Sequence, residues 1–297
     1  MPVVLSRREL LASTMVAGSL LILPAAPTML ARKQTDMASL DLPTLDITVT
    51  ADAFEGLPES IEAGRYLLNV TATEDVEGGG IVAFLQPYEM TPDELFAFLG
   101  SLDESDPLPA VVYQSKFAGG ASAMSGATGS AVIDLTPGEW VVWGDDPSAP
   151  QAPGVLTVTG EFPEAPTEIA SDISFTLIEF DIMVEGNLTA GEHTIMIDNQ
   201  GAQPHFLDLS MVPPGTTNDD VTALFNGFMT GTPVASPLAE EEAETLLFTP
   251  TQSIDVQAWI NVTLEAGTYL AACWFPTAGL VDDPHAFHGM HTVFDVT

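Results

Sequence analysis

The chain has 297 residues, of which 46% are hydrophobic, enough for one large domain or two medium ones with buried cores. Against 42 acidic residues stand 6 basic ones, a formal net charge of −36, and such a body is repelled by nucleic acid and by anionic membranes. One cysteine excludes an internal disulfide framework, zinc ribbons and iron–sulfur clusters, all of which need several thiols.

Four of the six basic residues lie before residue 34. The opening stretch "SRRELLASTMVAGSLLILPAAPTMLA" pairs Arg7 and Arg8 with an apolar run ending in small residues. Ser13, Thr14, Gly18, Ser19 and Pro24 interrupt that run, so it reads as a signal peptide over residues 1–31 rather than a permanent membrane span. Its "SRRELL" resembles a twin-arginine signal, which implies export to the periplasm, the cell surface or the medium.

After a polar stretch the chain reads as two copies of one pattern, residues 43–159 and 173–297. The proline- and acid-rich segment 160–172 serves as linker. "IEAGRYLLNVTATEDVEGGGIVAFLQPYEMTPDELFAFLG" in the first copy answers to "LTAGEHTIMIDNQGAQPHFLDLSMVPPGTTNDDVTALFNG" in the second. Gly64 falls opposite Gly191, Thr91 opposite Thr216, Gly138 opposite Gly267 and Trp140 opposite Tyr269, a spacing of about 127 residues that suits tandem domains better than a solenoid.

Short apolar runs rich in β-branched residues and bounded by Gly, Pro, Asn and Asp read as strands, among them "HTIMI", "HFLDLSMV", "VQAWINVTL", "TYLAACWF" and "HTVFDV". One helix interrupts each copy. In "TPDELFAFLG" Thr91 is the N-cap, Pro92 the first helical residue and Gly100 the stop, and "NDDVTALFNG" repeats that grammar. The expected fold is all-β: two tandem Greek-key β-sandwiches, each with a short inserted helix.

All five histidines (193, 205, 285, 288 and 291) and the lone Cys273 fall in the second copy. Opposite His205 the first copy has Gly80, and opposite Cys273 it has Gly144. Residues needed for packing alone should recur in both copies, so their one-sided distribution points to chemistry special to the second. A soft thiolate, two imidazoles and a distant thioether are the donors of a blue-copper electron-transfer site. His285, His288 and His291 could instead form a type 2 copper or zinc site on a loop. His193 reads as structural.

Two segments of the second copy resemble the cupredoxins, the plastocyanin and azurin group of small copper proteins. "IDNQGAQPHFLDL" is similar to their first-ligand segment, and "GTYLAACWF … PHAFHGMHTVFDV" to their strand, Cys, loop, His, Met and final strand. The resemblance covers about residues 173–297. It implies a Greek-key sandwich, one copper ion in a type 1 site, and the ligands His205, Cys273, His285 and Met290, with His288 the substitute if His285 points away. The chain departs from the family in two places. Eleven residues separate Cys273 from His285, and Phe206 follows the first His where many relatives have Asn.

The resulting expectation is an exported, non-enzymatic carrier of single electrons between redox protein partners, with no membrane span after processing. In that reading the first copy is a scaffold without metal ligands. The alternative is a metal-free β-sandwich that binds or adheres outside the cytoplasm.

Overall fold

The structure is a computed structural model. It describes residues 35–76, 79–99, 101–102, 106–144, 153–232, 234, 238, 243–281 and 283–297. The expected signal peptide and Gly100 lie outside them.

The described chain is mostly β. The first half contributes β1 (Thr44–Val49), β2 (Phe54–Glu55), β3 (Ser60–Glu62), β4 (Gly64–Ala72), β5 (Gly80–Gln86), β6 (Lys116–Ala123), β7 (Thr128–Leu135), β8 (Gly138–Trp143) and β9 (Gly154–Thr159). The second contributes β10 (Ile173–Ile178), β11 (Asp181–Gly186), β12 (Gly191–Asn199), β13 (Asp208–Val212), β14 (Glu244–Phe248), β15 (Val256–Leu264), β16 (Gly267–Ala272) and β17 (His291–Val296). Residues 160–172 carry neither helix nor strand. Among the described residues no helix is long and apolar enough to cross a membrane.

The strands form three sheets. The largest runs β11-β10-β12-β15-β7-β4-β1-β2, and the smaller two run β14-β13-β16-β17 and β3-β9-β8-β5-β6. In the large sheet each half contributes the same local order, with a parallel pair (β1 with β4, β10 with β12) flanked by antiparallel neighbours. The halves join where β15 pairs with β7, Trp259 opposite Val132 and Ile260 opposite Ala131. One sheet therefore passes through both copies, a continuity the sequence reading does not anticipate.

Alternation places the buried side chains. In β10 Ile173, Phe175 and Leu177 point inward while Ser174, Thr176 and Ile178 are half-buried, the period-2 pattern of a strand with one face on a core. A single core cluster draws residues from all three sheets, including Leu68, Phe84, Trp140, Phe175, Ile197 and Tyr269. On the outer face of the junction Trp259 and Val132 pack with Met37 and Leu67, and the Arg65 guanidinium lies 4.3 Å from the Trp259 ring. Arg65 also grips Asp134 through two bonds of 2.7 and 2.8 Å and donates to the Thr167 carbonyl at 2.6 Å, tying the linker down.

Matching positions in the two halves do matching work. Tyr66 donates its hydroxyl to the Glu62 carbonyl and Trp140 its indole N–H to the Thr136 carbonyl, each four residues back. His193 bonds the Thr189 carbonyl and Tyr269 the Glu265 carbonyl at the same offset. His193 also meets Asp172 at 2.6 Å, which gives it a structural role.

The helices differ from expectation in number and extent. Among the described residues the first half has two, α1 (Pro92–Leu99) and α2 (Ala110–Gln114). Thr91 caps α1 in a reciprocal bond set with Glu94. The second half has α3 (Asn218–Thr230), capped by Thr217, the residue just before the quoted run. Helix α3 runs past Gly227 and stops at Gly231, whose left-handed backbone suits glycine.

Candidate metal centre

His205 lies in the turn that follows β12. Asn199, the last residue of that strand, holds the turn: its side-chain N–H groups donate to the carbonyls of Gln203 and Gln252, and its oxygen accepts from the Gly201 amide. His205 and Gln252 then exchange two backbone hydrogen bonds of 3.0 and 2.8 Å. The segment carrying Gln252 also bonds to β6 of the first half, through the Gly119 amide to the Thr251 carbonyl and the Ser253 amide to the Phe117 carbonyl. The first half therefore braces the strip on which His205 is seated.

Cys273 follows β16 directly, on the buried face that also presents Tyr269 and Ala271. The eleven residues after it form an arm that returns on itself. The Thr277 amide donates to the Asp283 carbonyl, Pro276 and Pro284 form a bridge, and the His285 amide donates to the Phe275 carbonyl. This pairing cancels the length of the loop and delivers His285 back beside Cys273. A 3-10 turn over His285–His288 follows, and Gly289, at φ 107°, reverses the chain. Met290 then sits with its amide on the His285 carbonyl and its carbonyl on the Cys273 amide.

The three donors converge. His205 Nδ1 and His285 Nδ1 are 3.0 Å apart, and Cys273 Sγ is 3.7 Å from each. His205, Cys273, His285 and Met290 are all fully buried. A point equidistant from the three donor atoms lies about 2.0 Å from each, close to the roughly 2.0–2.3 Å bonds that imidazole nitrogen and thiolate sulfur make to a first-row divalent ion. Both Nε2 atoms are buried without a hydrogen-bond partner, so the rings turn their Nδ1 atoms inward and leave Nε2 unsatisfied. An ion at that point would take the two Nδ1 lone pairs and leave each neutral ring's proton on Nε2, and three donor atoms packed this close in a dry interior are costly unless something binds them together. The donor set fits a copper ion.

His288 and His291 stand apart from this group. His288 is about a third exposed and bonds Asp283 at 2.6 Å. His291 meets Thr222 at 3.0 Å and the Ala286 carbonyl at 2.9 Å. The histidine trio at 285, 288 and 291 does not form a cluster. Among the described residues His205, Cys273 and His285 are the one group of metal-ligating type.

Electrostatics favour neutral donors. Burial pushes the His205 imidazole down to about 4. Burial, then the nearby His205, pushes His285 down to about 3. Burial drives the Cys273 thiol up to about 12, against the opposing effect of amide hydrogen bonds from Phe206 and Phe275 to the sulfur. Phe206, which follows the first histidine, thus offers its backbone N–H to the sulfur. A bare thiolate is unstable here, and a cation removes the penalty.

The two imidazoles bind protons less readily folded than unfolded, where the ordinary value is about 6.5. Their contribution to the stability of the metal-free protein is complete above pH 6.5 and is lost as pH falls toward 4 and then 3. The loss is about 1.4 kcal/mol per pH unit for each ring within that window. Urea melts of the metal-free wild type and of a His205→Gln/His285→Gln variant at pH 7 and pH 5 isolate the effect from the surface carboxylates. The wild type should lose the more stability, and equal losses would contradict the assignment of neutral, buried rings.

Sequence reading finds one of the supporting residues, Asn199, as the Asn of the turn in "IDNQGAQPHFLDL", but Gln252 and the turn residues Glu179 and Phe180 carry no local signal. Phe180 packs its ring 5.2 Å from both His285 and His288.

No protein-family model matches the chain, and no curated protein does. Among solved structures it is similar to dithionite-reduced auracyanin from the photosynthetic bacterium Roseiflexus castenholzii, at 17% identity and a TM-score of 0.27 over 42% of this chain and 94% of that one. Auracyanin A, a blue copper protein of Chloroflexus aurantiacus, gives 18% identity and 0.26 over 42% and 99%. The copper nitrite reductase of Nitrosomonas europaea gives 12% identity and 0.23 over 86% and 94%.

Proposed function

We propose that this chain is an exported type 1 copper protein that carries single electrons between redox protein partners and is not an enzyme by itself. In this reading both halves are cupredoxin-like Greek-key sandwiches, and the ion belongs to the second, residues 173–297. The observation that supports it is the convergence of two imidazole nitrogens and one thiol sulfur, all buried, at mutual distances of 3.0 to 3.7 Å. Two nitrogens and one sulfur are the donors that a copper ion would take there, and in this reading Met290, buried and bonded through its backbone to His285 and Cys273, would add a weaker thioether.

Copper bound there supplies a one-electron couple. The residues around it do the rest. His205 and His285 present neutral Nδ1 lone pairs at neutral pH. Cys273 would lose its proton when an ion is held there, and the Phe206 and Phe275 amides would stabilise the resulting thiolate. Burial excludes water, so few groups move when charge changes. The first half acts as scaffold, and the Arg7 and Arg8 segment directs export.

Titration of the purified protein with copper(II) tests the reading. One equivalent should produce an intense thiolate-to-copper absorption toward the red end of the visible range. His285→Ala should abolish it, while His288→Ala should keep it with affinity changed less than about threefold, since that ring bonds Asp283 instead. A protein that stays colourless and retains no stoichiometric copper would leave the metal-free binding module as the reading.

A further inference from the structure

The turn between β10 and β11, residues 178–181, closes over the metal centre from the large sheet. Leu177 anchors it by accepting the amides of Gln200 and Gly201 at 2.9 and 3.1 Å. Phe180 covers the His285 ring. Glu179 turns the other way: its Oε1 accepts the Gln203 amide at 2.7 Å and lies 3.6 Å from His205 Nε2.

A neutral imidazole has one N–H. If His205 gives its Nδ1 lone pair to an ion, its proton must sit on Nε2, and a buried N–H needs an acceptor. His205 Nε2 is buried and otherwise unpartnered, and Glu179 is the carboxylate that faces it. Gly201 makes the approach possible. A Cβ there would stand 2.6 Å from His205 Nε2 and 2.8 Å from Glu179 Oε1, so any side chain would wedge the two apart.

We propose that Glu179 is the positioning residue of the copper centre, accepting the Nε2 proton of His205 and favouring the oxidised ion over the reduced one. The inference rests on the function proposed above. The ring becomes a stronger hydrogen-bond donor as the ion withdraws charge from it, and copper(II) withdraws more than copper(I). A carboxylate facing that N–H therefore stabilises the oxidised state and lowers the reduction potential. The side chain is about a third exposed, which tempers the effect without removing it.

The test is electrochemistry on the copper-loaded full chain, comparing wild type with Glu179→Gln. Glutamine retains an oxygen for the Gln203 amide, so it removes the charge and leaves that bond in place. The variant should stay blue with one copper, and its preference for copper(II) over copper(I) should fall about tenfold, a rise in potential of about 59 mV. Gly201→Ala should shift the potential in the same direction by separating the pair. An unchanged potential in a blue Glu179→Gln protein would overturn the role of Glu179 and leave the copper function standing. A wild type that forms no blue complex would overturn both together.

Discussion

Cys273→Ala should eliminate the intense visible absorption of the copper-loaded protein while leaving the fold intact. The absorption belongs to the sulfur–copper bond, and this is the only cysteine in the chain, so no other thiol can substitute. The two imidazoles remain, only 3.0 Å apart, and should still hold copper(II), but more weakly and as a pale complex. Stability should change little in the absence of metal. The thiol is a small buried group, and alanine leaves a gap of about one sulfur atom, costing on the order of 1 kcal/mol. Visible spectroscopy and thermal melts of both proteins check the two halves of this expectation. Retention of an intense band in the variant would rule out Cys273 as the thiolate ligand.

The second large effect concerns the junction. Residues 160–297 expressed alone should be unstable or insoluble, and should bind copper poorly even when soluble. Separation would open the β7 to β15 pairing and leave Trp259 and Val132 without each other. It would also strip Phe117 from Phe275, whose rings meet at 6.1 Å, and remove the bond from the Tyr113 hydroxyl to the Pro276 carbonyl. Each large apolar side chain re-exposed costs about 1.5–3 kcal/mol, so the loss should reach several kcal/mol, a large share of what holds a domain of this size together. The newly open strand edges would invite aggregation. Denaturation of the full chain and of the fragment, followed with and without copper, measures the difference. A fragment as stable as the whole chain would show that the halves are merely tethered.

The strands were the most legible part of the sequence. "HTVFDV" emerges as β17 over His291–Val296, and "VQAWINVTL" as β15, because alternating burial writes its period into the chain. The capping grammar of α1 was equally readable, and that of α3 in outline, with its cap Thr217 just before the quoted run and its stop at Gly231. The union of the two halves in one sheet was not. Pairing of Ala131 and Val132 with Ile260 and Trp259 depends on which edges meet in space, and apolar strand residues look alike whichever partner they find. The long loop after Cys273 was opaque for a related reason. Pro276 and Pro284 face each other across an arm whose hydrogen bonds come from Thr277 and His285, a pairing that depends on backbone groups rather than on side-chain pattern. Glu179 left no trace at all, being one acid among 42.

The same arm has a thermodynamic consequence. Phe275 and Pro276, near its root, touch the first half, while His285, at its return, faces Cys273 and His205. An ion gripped by His205, Cys273 and His285 would hold this arm closed and so keep its root set against the first half across the seam. Linkage makes the relation mutual: whatever free energy the ion adds to the closed seam, the closed seam adds to retention of the ion. Loosening the seam at Tyr113 or Phe117, more than ten residues of chain away from any ligand in sequence, should quicken loss of the metal.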